Sequence, residues 1–340
     1  MKHGMHTHQR RNFLKTLAIL AGGATLAPVM RVLPALASSS LVSTTEERML
    51  MGTFVSMTVL APSRLQGQEA LGYAFEDMER QIGIFNRFDS TTALSVLNDS
   101  GRLNHAPREL LDVLAHSSEL HRQSGTRFDI TIAPVVTLLE RSHGKPDKKD
   151  LHEALALVDA SGLRQSGAGL RFAQAGMAAT LDGVAKGYIA DHAATSLQRA
   201  GIEHFLINAG GDIRAQGSSK GLSRPWRVAI EDPSKMGSYP SVIELRSGAV
   251  ATSGGYEVSF DQAGKSHHLV NPETGASPQY IKSVSVQAPT VMQADGLATA
   301  LSLMHPREAL RLTATLPGHA CLLVTSTGSE FVSPNWGRIA

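Results

Sequence analysis

The sequence predicts an α+β fold: mixed sheets with packed helices, built as one unit of two intimate subdomains. Three observations carry this. Apolar residues make up 42% and charged residues 18% of the 340, values of a globular chain. Helical and strand patterns are mixed without the regular βαβ period of a doubly wound sheet. No internal repeat stands out. The lone Cys321 excludes a disulfide framework. Aromatics at 5% leave too few rings for a stacking surface, so no nucleic-acid partner is expected.

The N-terminus carries its own chemistry. Lys2, Arg10, Arg11, Lys15 and Arg31 are the basic residues of positions 1–37, which hold no acidic one. Subtracting these five from 32 leaves 27 basic against 30 acidic side chains, a net charge near −3 for the rest. Nothing there suggests a polyanion-binding patch. Basic residues, an apolar run from Leu17 to Val29 and the small-x-small step Ala35-Leu36-Ala37 form a signal-peptide pattern. Arg10-Arg11 before Phe13-Leu14-Lys15 resembles the twin-arginine class. The expectation is a signal over 1–37, a flexible leader over 38–48 and the functional domain over 49–335. Localisation would be periplasmic. The apolar run is short for a span, so no stable membrane span is expected after cleavage near Ala37. No cysteine lies near that point, which argues against a lipoprotein anchor.

Along the body, Thr53 to Leu60 reads as a strand. Gln66 to Phe85 reads as a helix, with Ala70, Ala74, Met78, Ile82 and Phe85 on one face. Asp89 to Ser100 reads as turns, and Pro107 as the first turn of a helix towards His121. Phe128 to Val136 looks extended, interrupted by Pro134. After a charged loop, a short helix runs through Leu155 and Val158. Gly183 to Ala200 is a helix closed by Gly201. His204 to Asn208, Trp226 to Ile230, Val242 to Leu245, Ile281 to Ala288 and Cys321 to Thr325 are strands; Ala294 to Met304 and a segment from Pro306 are helices.

Four clusters carry candidate chemistry. Thr180 to Tyr188 places Gly183 and Gly187 where a strand hands over to a helix, letting a ligand approach backbone N–H groups. Its spacing is neither a P-loop nor GxGxxG, and a plain tight turn with solvated Lys186 fits it too. Asn208-Ala209-Gly210-Gly211-Asp212 is a bend that faces a ligand or merely packs closely. His267 and His268 are adjacent in an extended segment and point to opposite faces, so one at most serves a given site. That one is a base of near-neutral pKa, or a buried imidazole bonded to a carbonyl. Asp295 and Thr299 are four apart on one helix face. A carboxylate and a hydroxyl suit Mg²⁺, which completes its shell with waters and phosphates; the alternative is a helix-capping Asp.

Together these strings resemble the ApbE family, the FAD:protein FMN transferases. The resemblance is carried by MGT at Met51–Thr53, Phe88-Asp89, FDITIAP from Phe128, LDGVAKGYIAD from Leu181 and INAGGDIRAQG from Ile207. ATSGGYE from Ala251, HHLVNPETG from His267 and SVSVQAPTVMQADGLATAL from Ser283 complete it. It implies Mg²⁺-dependent transfer of FMN from FAD to a Thr or Ser hydroxyl of a partner flavoprotein, with AMP released. The partner would be an acceptor of a periplasm-facing electron-transport system. It implies Asp295, Thr299 and Gly183 at the metal, and His268 as base. It implies Met51, Thr137, Lys186, Asn208, Gly210, Gly211, Asp212 and His268 as FAD contacts. An FAD pyrophosphatase giving FMN and AMP, and a non-catalytic FAD binder, are the alternatives. The chain departs from the family pattern at three positions: Thr180 and Asn271 stand where Asp is common, and Gly255 where an acidic residue is common.

Overall fold

The computed structural model describes residues 41–219, 224–234 and 239–338. The expected signal over 1–37 lies outside them. The strands are β1 (Val42–Leu50), β2 (Thr53–Ala61), β3 (Arg102–Leu103), β4 (Leu163–Ser166), β5 (Gly169–Phe172), β6 (His204–Ala209) and β7 (Asp212–Gln216). They continue with β8 (Trp226–Ala229), β9 (Val242–Leu245), β10 (Ser247–Gly254), β11 (Ile281–Ala288), β12 (Ala320–Thr325) and β13 (Glu330–Val332). The α-helices are α1 (Arg64–Phe85), α2 (Ala93–Ser100), α3 (Arg108–Gln123), α4 (Ala133–Arg141), α5 (Lys148–Leu155), α6 (Ala185–Arg199), α7 (Val291–Ser302) and α8 (Pro306–Ala314).

An eight-stranded sheet in the order β1-β2-β6-β7-β10-β11-β12-β13 forms the backbone of the fold. Its ladders are antiparallel, as an α+β class requires. Alternation along the strands sorts the side chains. Ala249 and Ala251 of β10, Val284 and Val286 of β11, and Cys321 and Leu323 of β12 face the main core with the helices. Val250 and Leu322 point the other way, joining Ile213 against Trp226, Val228, Ile243 and Leu245 of the β8–β9 hairpin. A third cluster joins Val135, Val136, Leu138 and Leu139 of α4 to Ala154 of α5 and Val270. The described residues form one compact unit. The two expected subdomains are thus satellite clusters around a common sheet.

Three expectations are corrected. Positions 42–48 are not a leader: they belong to β1, paired with β2 along its whole length. Its inward positions are Thr44, Glu46 and Arg48, so the apolar alternation that marks a strand is missing. Arg48 lies 4.3 Å over the Phe75 ring and bonds Glu79; an inward charge on an edge strand also discourages pairing with other chains. Residues 93–100, expected as turns, form α2, capped by Thr92 accepting from the Ser95 N–H. The segment Phe128 to Val136 is not extended. A short 3₁₀ turn at Ile130–Ile132 runs into α4, with Pro134 in its first turn, where proline's missing N–H costs nothing.

Candidate active site

A cleft of about 920 Å³ opens where three parts of the fold meet, within the range of ligand pockets. The first part is a pair of hairpin tips. Leu50 pairs with Thr53 across Met51-Gly52, and Ala209 with Asp212 across Gly210-Gly211. All four turn residues have positive φ: 52°, 72°, 67° and 105°. That is the two-residue turn whose twist matches the strands. β2 and β6 are neighbours, so the tips pack together. The Gly210 N–H donates to the Phe54 carbonyl at 3.2 Å, and a Cβ on Gly210 would lie 2.5 Å from Thr53 Oγ1. Glycine is therefore required there for two reasons, the left-handed backbone and the space. Met51 and Gly210 line the cleft.

The second part is the contact between α6 and α7. Gly183 stands just before α6; a Cβ there would sit 2.9 Å from Thr299 Oγ1. Ser253 of β10, not singled out from the sequence, puts its Oγ 3.4 Å from the same oxygen. Asp295 is buried, and its Oδ2 accepts from the Gly187 N–H at 3.1 Å. Asp295 is not a cap: Thr290 caps α7, leaving the carboxylate one turn inside and free for another task. Burial first, and the nearby Asp212 second, push its carboxyl well above the usual range, against the pull of Lys186. Lys186 is not solvated. Its Nζ lies 2.9 Å from Oδ2 of buried Asp212. Burial alone would lower the ammonium's pKa, but the charges of Asp212 and Asp295 outweigh it and raise it. The start of α6 offers fewer N–H groups than the sequence suggested. Those of Val184 and Ala185 bond the Leu181 carbonyl, and that of Gly187 is spent on Asp295.

The third part is the segment that follows β10. Val258 and His268 face each other: the Val258 carbonyl accepts from the His268 N–H at 3.1 Å and lies 3.2 Å from its Nδ1. That contact puts the proton on Nδ1 and leaves Nε2 as the acceptor. Burial pushes the His268 pKa down. The two histidines do divide as expected. His268 lines the cleft, while His267 is buried with Nε2 3.1 Å from the Pro278 carbonyl.

Asp295, Thr299, Gly183, Lys186, Met51, Gly210 and His268 therefore line one cleft. Asn208, Gly211, Asp212 and Thr137 do not line it. Asn208 Oδ1 accepts from the Gly211 N–H at 2.8 Å and braces the hairpin turn, and Asp212 pairs with Lys186 behind the cleft wall. Thr137 is exposed on α4 and lines a separate depression with Pro134 and Arg141; an α-helix where a strand was expected turns it away. Arg87, which bonds Asp182 at 2.8 Å, and Tyr256 also line the cleft. They went unnoticed because their partners or neighbours in space are far in sequence. The departures are readable locally. Asn271 Oδ1 accepts from the Glu273 and Thr274 N–H groups, as an Asp would. A side chain at Gly255 would meet His267 Nε2 at 2.7 Å. Thr180 Oγ1 accepts from the Asp182 N–H.

Comparison with known proteins places the chain in a family. The sequence profile of the ApbE family matches residues 51–323. The chain belongs to the ApbE family. It is 30% identical over 262 residues to the FAD:protein FMN transferase of Haemophilus influenzae, covering 72% of this chain and 75% of that one. It is 25% identical over 312 residues to the enzyme of the same name from Klebsiella pneumoniae, covering 87% and 88%. Among solved structures it resembles the flavin transferase ApbE from Vibrio cholerae (TM-score 0.75, 24% identity, 88% of this chain and 100% of that one). It also resembles the ApbE protein from Thermotoga maritima (TM-score 0.79, 24% identity, 88% and 99%). At those identities the structures speak for the shared fold. The residues that line the cleft of this ApbE-family chain, from Met51 to Leu303, all fall within the matched span.

Proposed function

We propose that this chain is an FAD:protein FMN transferase that uses Mg²⁺. The observation that carries the reading is one cleft lined by Asp295, Thr299 and Gly183 on one wall and His268 on another. Among the described residues no three His, Cys, Asp or Glu side chains group as a metal cage. The donor set is oxygen instead: the Asp295 carboxylate, the Thr299 and Ser253 hydroxyls and backbone near Gly183. It fits a hard cation that brings waters and substrate phosphates to complete its shell. Burial and the neighbouring Asp212 both disfavour an unaccompanied negative charge on Asp295, which fits a place meant for positive charge. When bound, Mg²⁺ supplies charge neutralisation at the FAD pyrophosphate and its leaving group.

The chain's own residues do the rest. Met51, Phe85, Ile132 and Ile189 give the cleft apolar walls suited to a flavin. His268 Nε2 takes the proton of the acceptor Thr or Ser hydroxyl. The hydroxyl oxygen bonds to the FMN-side phosphorus as the bond to the AMP phosphate breaks, so a phosphoester forms and AMP leaves. The N-terminal sequence pattern supports export to the periplasm, where an electron-transport flavoprotein would be the acceptor. Among the described residues, no helix is long and apolar enough to cross a membrane.

The test is incubation of the mature chain with FAD, Mg²⁺ and an acceptor flavoprotein. Covalent flavin fluorescence on the acceptor and stoichiometric AMP support transfer. FMN and AMP released with the acceptor unmodified would replace it by hydrolysis. Asp295→Ala is expected to abolish the activity; full activity in that variant, still Mg²⁺-dependent, would overturn the metal assignment.

A further inference from the structure

We propose that Asp191, together with Gly187, is a positioning residue that sets where α7 lies against α6, and so holds Asp295 and Thr299 opposite Gly183. The proposal rests on the reading of that wall as the metal site.

Gly187 and Asp191 are four apart on α6 and face α7 together. Asp191 Oδ1 accepts from the Val291 N–H at 3.0 Å and Oδ2 from the Met292 N–H at 2.9 Å. One carboxylate thus takes the first two N–H groups of the helix, which have no partner within it. The positive end of the α7 dipole meets a negative charge from a neighbouring helix. Arg214 Nε stands 3.6 Å from Oδ1 and limits the cost of burying that charge. One turn earlier on α6, Gly187 allows the closest approach of the two helices. A Cβ there would lie 2.6 Å from the Val291 carbonyl oxygen and 2.7 Å from Met292 Cα. At that approach its N–H reaches Asp295 Oδ2.

The cap and the glycine contact therefore fix α7 both along and across α6. Asp295 is one turn beyond the gripped residues and Thr299 two turns beyond. A slide or tilt of α7 carries both oxygens away from Gly183. Thr290 already caps the Gln293 N–H from within the chain, so Asp191 is not needed merely to begin the helix. Its distinctive contribution is that it reaches from α6.

Asp191→Asn removes the charge and turns one acceptor into a donor facing an N–H. Leu197→Ala, a core truncation further along α6, serves as a control for general loosening. Two readouts need no turnover: hydrogen exchange of peptides spanning 291–302, and Mn²⁺ binding followed by loss of the free-ion EPR signal. The expected result for Asp191→Asn is faster exchange through both turns up to Thr299 and at least tenfold weaker Mn²⁺ binding. Leu197→Ala should leave Mn²⁺ binding at the wild-type value, and any faster exchange it causes should spread over the whole chain rather than concentrate on 291–302. Faster exchange at Val291 and Met292 alone, with Mn²⁺ affinity within twofold of wild type, would reduce Asp191 to a local cap and overturn the proposal. If Asp191→Asn does not fold, Gly187→Ala is read by the same criteria. Should the wild type bind no Mn²⁺ even with FAD present, the metal reading falls, and the exchange pattern still decides the clamp.

Discussion

At the residue scale, His268 is the group whose chemistry is most sharply defined by its surroundings. The Val258 carbonyl fixes the tautomer, and burial makes the imidazolium costly, so the ring is neutral at physiological pH. A neutral base is active above its pKa and fails below it. The acid limb of kcat is therefore expected below the ordinary histidine value of 6.5, with a flat plateau through pH 7. His268→Ala should lower kcat by roughly 10²–10⁴-fold while leaving the KM for FAD within a few fold. Loss of the acid limb in that variant checks the assignment; an unchanged limb would give it to another group. Lys186 shows the opposite use of charge. Its ammonium is committed to Asp212, and its field also reaches Asp295. Removing it would leave the buried Asp212 and Asp295 carboxyls near each other without the ammonium that offsets them, which makes it as much a part of the fold as of the cleft wall.

At the scale of elements, the hairpin tips combine turn chemistry with a place on the cleft wall. A two-residue turn of this type favours Asn-Gly, yet Met51 holds the first position at φ 52°. A non-glycine residue in that region is strained, and such strain tends to persist where a site needs the side chain. Met51→Asn is expected to stabilise the protein by about 0.5–1 kcal/mol, read as a higher melting temperature, and to raise the KM for FAD several-fold. A variant that gained stability with no loss of FAD binding would show that the methionine serves packing alone. This turn was visible in the sequence only as a resemblance, whereas β2, β9, β11 and α1 were legible from periodicity itself. The failures have physical causes. β1 hides its alternation because its inward residues are Thr, Glu and Arg. The run FDITIAP is rich in β-branched residues, but the Asp129 side chain caps the Thr131 N–H and Pro134 sits in the first turn of a helix. In the site, Asp295 with Thr299 was legible because a helix brings i and i+4 together. Lys186 with Asp212, Ser253 with Thr299, and Asp191 with Val291 were not, because only the tertiary fold joins them.

At the scale of the whole molecule, the cleft draws its walls from stretches far apart in the matched sequence: the β1–β2 tip at residues 51–53, and Asp295 and Thr299 of α7 with Leu303 at its end. The eight-stranded sheet joins these distant stretches, so the cleft is expected to survive only as long as the sheet does. Cys321 offers a direct probe of that coupling. It lies in β12, between β11 and β13, fully buried in the main core. Burial pushes its thiol up to about 11, against the opposing effect of the Thr313 and Ser333 contacts. Thiolate is the reactive form, so at pH 8 the native thiol is both inaccessible and protonated. Labelling by an aromatic disulfide reagent should therefore be negligible in the native protein and complete once guanidinium unfolds it. Under native conditions its rate should follow global opening of the sheet, not local fraying. FAD bound in the cleft stabilises the native state by mass action, so saturating FAD should slow labelling in proportion to the gain in stability, although no atom of the cleft touches the sulfur. Fast labelling of the free protein, or a rate indifferent to bound FAD, would mean that the β12 end of the sheet opens separately from the hairpin tips, and that the molecule is not one cooperative unit.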